Sequence, residues 1–368
     1  MKKTILFLLN NECTYLPPFM SILDSLYDQY ALKVISYEKE GGKKYLTELY
    51  KGKDIEFLST KTQDTNLSIP SKIKRRVAKK LNVTSAFYKE AVDLFNLTKY
   101  DLLWVIHEET MFEFKRELIG RKYIASFYEL YDHRRNFLQE IEPVVQGALE
   151  VLVPEYNRAC ILRVWLQLEK TPTVVHNKPL GHPLKRNIEN QYSEIFKDKK
   201  IVLYQGYITR SRNVDKICEA CEGLKDYTFV MMGGGDKTYI EELKSKYPSL
   251  IHIGFVRPPE HLYITSYARM GIVKYDFVLL NAIYCAPNKT WEYTGFGIPV
   301  LAHNIPGLEY TIGKYKAGVC TDMDDIECIK NAILEIDSNY ETYSKNAIDY
   351  YNSYDVKQSI NEIVNRNI

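Results

Sequence analysis

Short apolar runs alternate with amphipathic segments along most of the chain. The first run, residues 4–9, is apolar at nearly every position, which predicts a strand covered on both faces. A helical spacing follows at Phe19, Ile22 and Leu26, and a second apolar run occupies residues 31–36. A strand, a helix and another strand make one βαβ unit, so the pattern predicts a parallel sheet.

The same alternation predicts an α/β protein with two domains. The other strands predicted in the first half are residues 55–58, 102–106, 123–127 and 149–153. Those predicted in the second half are residues 200–204, 227–232, 251–253, 270–274 and 299–302. Residues 171–190 between them hold three prolines and a glycine, which predicts an inter-domain linker. The expected domains are 1–180 and 190–350, followed by a helix at 351–368.

Composition adds limits on location and partners. The net charge of +2 over 368 residues gives no overall field for nucleic acid or a membrane. The apolar run near the start covers five residues and meets Asn10 and Glu12, which argues against a signal peptide. Seven scattered cysteines are typical of a reducing compartment, so we expect a cytoplasmic protein. Cys218 and Cys221 share one predicted helix without further ligands, which favours buried thiols over zinc.

The segment from residue 285 to residue 302, CAPNKTWEYTGFGIPVLA, carries the most chemistry. Pro287 sets the approach to a helix, and Asn288 is a favourable N-cap residue. Lys289 adds a cation where backbone N–H groups already favour an anion. Glu292 lies one turn further on the same face, where its carboxylate can accept hydrogen bonds from two neighbouring hydroxyls. This combination is suited to a nucleoside diphosphate, which offers both phosphates and a ribose diol.

This segment resembles the signature of GT-B glycosyltransferases, particularly the retaining "group 1" or family 4-like enzymes that make bacterial surface polysaccharides. The resemblance implies two Rossmann-like domains with parallel sheets facing across a cleft, and a C-terminal helix crossing back to the first domain. It places the acceptor on residues 1–180 and the donor on residues 190–350. Glu292 matches the glutamate that binds ribose, Asn288 and Lys289 match positions near the phosphates or sugar, and Tyr293 belongs to the same donor motif.

The likeness extends through most of the second half. Gly206 matches a glycine turn after a strand, and Arg212, with its neighbour Arg210, matches a cation that grips the diphosphate. The glycine-rich residues 231–236 match a turn after a central strand. Val256 belongs to a stretch that lies beside the nucleobase in the family.

The reaction centre is less well defined by the resemblance. Many members carry a second glutamate that touches the donor sugar, and Tyr284 stands at that position. On the acceptor side the family has a histidine or carboxylate at the carboxyl end of a first-domain strand. His107, Asp132 and His133 follow predicted strands and are the candidates, since ligands bind at the carboxyl ends of strands in open α/β sheets.

The implied function is transfer of a sugar from a nucleotide-diphosphate sugar to a glycan or lipid-linked acceptor, with retention. Basic side chains would take the role of a divalent cation, so we expect neither metal nor cofactor beyond the donor itself. Two alternatives remain open: a sugar-nucleotide epimerase or hydrolase of the same fold, and a transferase-like protein that binds a sugar nucleotide without catalysis. A periplasmic sugar-binding protein would need a signal peptide.

Residues 69–81 combine six cations with apolar positions at helical spacing. One interpretation is an ordinary amphipathic helix with a solvated basic face. The other is a helix that lies on an anionic membrane near a lipid-linked acceptor, at the inner face of the cell membrane.

Overall fold

The continuous apolar runs become the central strands of two parallel sheets. The computed structural model describes residues 2–39, 41–58 and 86–368. The chain divides into a first unit, Met1–His176 with Val356–Ile368, and a second unit, Asn177–Asp355. The basic residues 69–81 lie outside the described residues. Among the helices that are described, none is at once long enough and apolar enough to cross a bilayer.

In the described part of the first unit, seven strands pair in the order β3-β2-β1-β4-β5-β6-β7. The strands are β1 (Thr4–Leu9), β2 (Ala31–Ser36), β3 (Ile55–Phe57), β4 (Leu102–Ile106), β5 (Tyr123–Ser126), β6 (Glu150–Val153) and β7 (Thr173–Val174). The helices are α1 (Pro17–Leu26), α2 (Gly42–Leu49), α3 (Ala86–Leu97), α4 (Glu108–Glu113), α5 (Lys115–Leu118), α6 (Arg135–Val145) and α7 (Tyr156–Trp165). Single 3-10 turns occupy Cys13–Tyr15 and Asp132–Arg134.

In the second unit, six strands pair in the order β10-β9-β8-β11-β12-β13. They are β8 (Lys200–Gln205), β9 (Tyr227–Met232), β10 (Ile251–Ile253), β11 (Met270–Val273), β12 (Val300–His303) and β13 (Gly318–Thr321). The helices are α8 (Ser193–Phe196), α9 (Asp215–Glu222), α10 (Lys237–Lys246), α11 (His261–Thr265), α12 (Leu280–Ile283), α13 (Asn288–Thr294), α14 (Pro306–Leu308), α15 (Ile326–Ser338) and α16 (Tyr340–Asn352). A 3-10 turn lies at Arg210–Arg212 and a π-helical turn at Glu309–Gly313.

The α/β class and the two parallel sheets agree with the expectation from sequence. Two edge strands were missed: β7, which lies inside the segment expected to be linker, and β13. Each pairs with one neighbour only and is at most four residues long, so neither leaves a distinct apolar run in the sequence. Cys218 and Cys221 lie on α9 and are buried, as expected.

The last helix of the described chain, α17 (Val356–Asn367), belongs to the first unit. It packs against α1, and the side-chain amide of Gln29 donates a 2.8 Å hydrogen bond to Asn361. Burial of Ile360 and Ile363 anchors the apolar face of α17. The chain therefore enters the first unit a second time after the second unit is complete.

The glycine-rich turn after β9 is explained by backbone packing. The segments after β8 and β9 continue side by side, with the Ile208 N–H donating to the Gly234 carbonyl over 2.9 Å. A Cβ atom at Gly233, whose φ is +147°, would lie 2.0 Å from the carbonyl oxygen of Gly206. At Gly235 it would lie 1.9 Å from the carbonyl oxygen of Ile208. Two of the three glycines thus permit close approach of two loops.

Gly233→Ala should destabilise the second unit by about 2 kcal/mol or more, because it combines an unfavourable φ with a steric overlap of backbone atoms. Gly234→Ala is the matched control, since a Cβ there meets nothing within 4 Å. Urea unfolding of both variants measures the difference. Equal midpoints for the two would contradict this explanation of the turn.

Candidate functional site

The predicted residues of the second unit gather at the carboxyl edge of its sheet. The chain builds β8, β9 and β10 outward in one direction and then returns to place β11 on the other side of β8. The carboxyl ends of β8 and β11 therefore form a topological switch point, where open α/β sheets bind ligands. Gly206 follows β8, and Lys274 and Tyr275 follow β11.

Glu292 lies on α13 with its carboxylate buried at this edge. One carboxylate oxygen accepts a hydrogen bond from the side-chain amide of Gln205, and the other lies 3.2 Å from Nε2 of His261. Gln205 is held in turn by the hydroxyl of Thr265, which donates to its amide oxygen over 2.8 Å. Each carboxylate oxygen has a second lone pair, so the group can still accept hydrogen bonds from a ligand.

The electrostatic surroundings keep Glu292 ionised. Burial raises the pKa of this carboxyl. The charge and hydrogen bond of His261 and the charge of Lys289 lower the pKa, and together they outweigh the effect of burial. The net pKa lies below the ordinary value. Nε2 of His182 also contacts the backbone carbonyl of Glu292 at 2.9 Å, while its Nδ1 accepts from the Leu184 N–H. This pattern assigns the proton of a neutral His182 to Nε2, which donates to a carbonyl near the carboxyl end of α13.

Lys289 and Arg212 place two cations against one aromatic ring. The Lys289 ammonium lies 5.6 Å from the centre of the Tyr275 ring, and the Arg212 guanidinium lies 4.3 Å from it. The ammonium also lies 5.0 Å from the Tyr204 ring. Among the described residues, neither cation forms an ion pair with a carboxylate. The arrangement can therefore accept a multiply charged anion at the switch point.

The ammonium of Lys289 shows the electrostatic cost of this arrangement. Burial lowers its pKa, and the nearby positive charge of Arg212 lowers it further, to about 8. Glu292 opposes this trend but lies in its own hydrogen-bond network. A bound anion would favour the protonated amine and relieve the repulsion between the two cations.

Gly206 fits the ammonium closely. Its φ of +141° and the approach of Lys289 leave little room, since a Cβ atom there would lie 3.1 Å from the Lys289 Nζ. Val256 follows β10 and is partly buried against the core of the second unit. Both therefore lie on loops at the carboxyl edge, as their positions in the motif suggest.

Three predicted donor residues are placed differently from the expectation. Arg210 points to Glu242, with both carboxylate oxygens at 2.5 Å, so its charge is paired on the protein surface away from Arg212. Tyr293 is fully buried, and its hydroxyl donates to the Leu203 carbonyl over 3.0 Å, so its side chain belongs to the core. Adjacent helical residues face different directions, which separates Tyr293 from Glu292.

Asn288 is not the N-cap residue. The helix begins at Asn288, Pro287 takes the extended cap conformation, and no side chain caps this end. Because Pro287 has a fixed φ and precedes the first helical residue, the boundary shifts by one position. Asn288 thus contributes backbone at the start of α13.

Several contributing residues gave no signal in the sequence. Gln205 is the last residue of a buried strand, and His261 opens a five-residue helix, so neither stands in a recognisable pattern. His182 lies in the segment expected to be linker. Only the structure brings these three side chains to Glu292.

Within the part of the chain that the structure describes, one group of side chains could reach a metal ion: His303, Asp322 and Asp324. However, Asp324 already binds the ammonium of Lys274 at 2.5 Å, and Nδ1 of His303 is bonded to the Tyr275 carbonyl. A carboxylate neutralised by lysine is a poor ligand for a cation, so this donor set does not fit a metal centre.

Comparison with known proteins decides the family. Residues 185–351 match the sequence profile of the family described as "Glycosyl transferases group 1", and this range contains Glu292 with Gln205 and His261, the partners of its carboxylate. The matched stretch, 167 of the 368 residues, identifies a group 1 glycosyltransferase domain in the second unit. The family and the class of enzyme expected from the motif are thereby confirmed. No curated protein matches the chain by sequence.

Solved structures resemble this glycosyltransferase over its full length. Anabaena HepE, in complex with UDP and glucose, aligns with a TM-score of 0.74 at 13% identity, covering 99% of this chain and 98% of that one. A sucrose-phosphate synthase from Thermosynechococcus elongatus aligns with a TM-score of 0.71 at 14% identity, covering 99% and 98%. WaaG, a glycosyltransferase involved in lipopolysaccharide biosynthesis, gives 0.66 at 12% identity, covering 99% of each chain. At such identities the likeness concerns the fold, which is GT-B.

The first unit of the glycosyltransferase holds a histidine–carboxylate pair at the carboxyl end of β4. Nδ1 of His107 lies 3.2 Å from the carboxylate of Glu108. Glu108 is fully buried, and its other oxygen accepts the N–H groups of Tyr128 and Glu129, each at 2.7 Å. Burial raises the pKa of Glu108 above its usual value. His107 has a φ of +76°, a strained conformation of the kind that clusters at functional sites.

Asp132 and His133 lie together after β5, on a single 3-10 turn. Nδ1 of His133 is 3.9 Å from a carboxylate oxygen of Asp132, and the His133 side chain is half exposed. This pair is looser than that of His107 and Glu108, whose geometry is fixed by backbone donors. The structure therefore favours His107 among the candidates of the first unit.

Glu292→Gln should lower stability at pH 7 by about 1–3 kcal/mol, because charge-assisted hydrogen bonds become neutral ones. The folded-state pKa of Glu292 is depressed, so the stability it contributes is present above its ordinary pKa of 4.5 and is lost as the pH falls. The difference between wild type and variant in urea unfolding should thus shrink below pH 4.5. Glu241→Gln, which alters an exposed pair with Lys244, is the control. A difference that does not vary with pH would contradict the assignment.

Proposed function

We propose that this glycosyltransferase moves a sugar from a nucleoside-diphosphate sugar to a hydroxyl of a glycan or lipid-linked acceptor. The observation that carries the proposal is the pair of cations, Lys289 and Arg212, against the Tyr275 ring without a carboxylate partner among the described residues. A diphosphate matches this site in charge, and guanidinium can bind two phosphate oxygens at once. The presence of UDP with glucose in the HepE structure supports a donor of this class.

The same groups would act during the reaction. Cleavage of the bond between the sugar and the diphosphate leaves negative charge on the departing oxygen, and fixed cations stabilise that charge. Glu292 would accept hydrogen bonds from the ribose hydroxyls through the lone pairs that Gln205 and His261 leave unused. With two cations at the leaving group, the reaction needs neither a metal ion nor another cofactor.

On the acceptor side, we assign the role at the reaction centre to His107. Nδ1 of its imidazole lies 3.2 Å from the buried Glu108 carboxylate, and Nε2 would contact a hydroxyl group of the acceptor. Asp132 and His133 are secondary candidates on the neighbouring strand end. Tyr284, which replaces the sugar-contacting glutamate of the family, indicates that the sugar is held by other contacts.

The biological setting proposed is surface polysaccharide synthesis in the bacterial cytoplasm, with retention at the anomeric carbon. The structural likeness to WaaG supports this setting. The basic residues 69–81 would bring the enzyme to the inner face of an anionic membrane, where a lipid-linked acceptor resides.

The donor assignment is tested by calorimetric titration with UDP and GDP and with uridine and guanosine. Arg212→Met and Lys289→Met should each weaken binding of the preferred diphosphate roughly 10- to 100-fold, since each removes a charge-assisted contact, while leaving the nucleoside unaffected. Arg210→Met is the matched control, because its guanidinium is paired with Glu242. Failure of every diphosphate to bind, or equal effects at Arg210 and Arg212, would refute the site. Incubation with UDP-sugars then separates transfer from hydrolysis or epimerisation.

Binding of the diphosphate should weaken as the pH rises from 7.5 to 9.5. Lys289 has a pKa of about 8 and binds the anion only as the ammonium, so affinity should fall by up to about tenfold per pH unit above that value. Lys289→Arg keeps its charge throughout this range and should give a nearly flat profile. The same slope in both proteins would show that another group is responsible.

A further inference from the structure

A buried lysine, Lys274, immediately precedes Tyr275, over whose ring the cations of Arg212 and Lys289 lie. Lys274 follows β11 and its side chain is fully buried. Its ammonium donates to a carboxylate oxygen of Asp324 over 2.5 Å and to the Met323 carbonyl over 3.1 Å. An ammonium is rarely buried without such partners, because removing it from water costs on the order of several kcal/mol.

Asp324 connects this lysine to the loop after β8. The same carboxylate oxygen accepts a 3.0 Å hydrogen bond from the side-chain amide of Asn213. Asn213 directly follows Arg212 and has a φ of +45°, a left-handed conformation that asparagine tolerates better than most residues. Burial raises the pKa of Asp324, but the hydrogen bond and charge of Lys274 outweigh this effect. The net pKa is lowered, so this carboxyl remains an anion.

The guanidinium of Arg212 also contacts this lysine and the residue that follows it. It donates to the backbone carbonyl of Lys274 over 3.4 Å and lies over the ring of Tyr275, the next residue. Asn213, which follows Arg212, is thus linked through Asp324 to the side chain of Lys274. The guanidinium of Arg212 is linked to the backbone carbonyl of Lys274. These contacts join the ends of β8, β11 and β13.

We propose that Lys274, Asp324 and Asn213 are positioning residues that hold the Arg212 guanidinium in place for the diphosphate of the donor. This inference rests on the proposed function. Arg212 has no carboxylate partner among the described residues and lies near a like charge on Lys289, so repulsion favours its movement into solvent. A tether made before the ligand arrives reduces the ordering that binding must impose.

The proposal predicts a specific response to substitutions of opposite charge. The measured quantity is the ratio of the nucleoside dissociation constant to that of the matching diphosphate, with uridine and UDP or guanosine and GDP as probes. Both Lys274→Met and Asp324→Asn should lower this ratio about fivefold or more, because each cuts the tether and frees the guanidinium. A long-range effect of charge alone would lower the ratio in Lys274→Met, which loses a cation, and raise it in Asp324→Asn, which loses an anion.

Asp337→Asn is the matched structural control. Asp337 accepts hydrogen bonds from Lys200 and Arg269, each at 2.7 Å, near the opposite ends of β8 and β11. This variant should lose stability in urea without changing the ratio. If Asp324→Asn does not fold, Asn213→Gly breaks the same link while allowing the left-handed conformation.

The outcomes separate this proposal from the one on which it rests. The positioning role would be overturned by any of three results. The ratio could be unchanged in Lys274→Met, it could change in opposite directions in Lys274→Met and Asp324→Asn, or it could drop equally in Asp337→Asn. In each of these cases the wild type still prefers the diphosphate and the proposed function stands. A wild-type ratio near one would overturn the proposed function, and the positioning role with it.

Discussion

The candidate site of this glycosyltransferase depends on keeping two positive charges close together, neither of which is paired with a carboxylate among the described residues. Lys289 and Arg212 both lie over the Tyr275 ring, and burial together with the charge of Arg212 depresses the pKa of the lysine. Such an arrangement costs stability in the empty protein. It is compensated by the aromatic ring, which attracts cations, and by a ligand that carries the missing charge. The site therefore gains most when a polyanion binds.

The rest of the second unit can be understood as support for this pair. The charge of Glu292 acts on Lys289, yet Gln205 and His261 hold its carboxylate in a separate network, so it does not neutralise the lysine by direct contact. Arg210 is likewise removed by its pairing with Glu242 on the surface. Glu292, Arg210 and Lys274 each have their own partners, and this division leaves the charges of Lys289 and Arg212 available.

The sequence was sufficient to predict the central strands of both sheets and to indicate residues of the candidate site. Long apolar runs located the central strands, and the spacing of Asn288, Lys289 and Glu292 located the donor motif. The sequence was insufficient for residues that carry no motif and reach the site only because the chain folds. Gln205 ends an apolar strand and Lys274 follows one, so both are absorbed into patterns that indicate structure. Tyr293 was expected in the site because it adjoins Glu292, but a rotation of about 100° per residue turns it into the core.

The return of α17 to the first unit has a consequence for the order in which the chain can fold. The first unit surrounds the second in sequence, so α1 is synthesised early while α17, which covers it, emerges only after residue 355. The contact of α1 with α17 must wait for that partner, whereas Phe19 of α1 also packs against Phe7 of β1. The second unit is contiguous, so its core needs no segment from elsewhere in the chain. Folding of the first unit is thus a late event, and truncation within α17 would expose α1 rather than disturb the donor site.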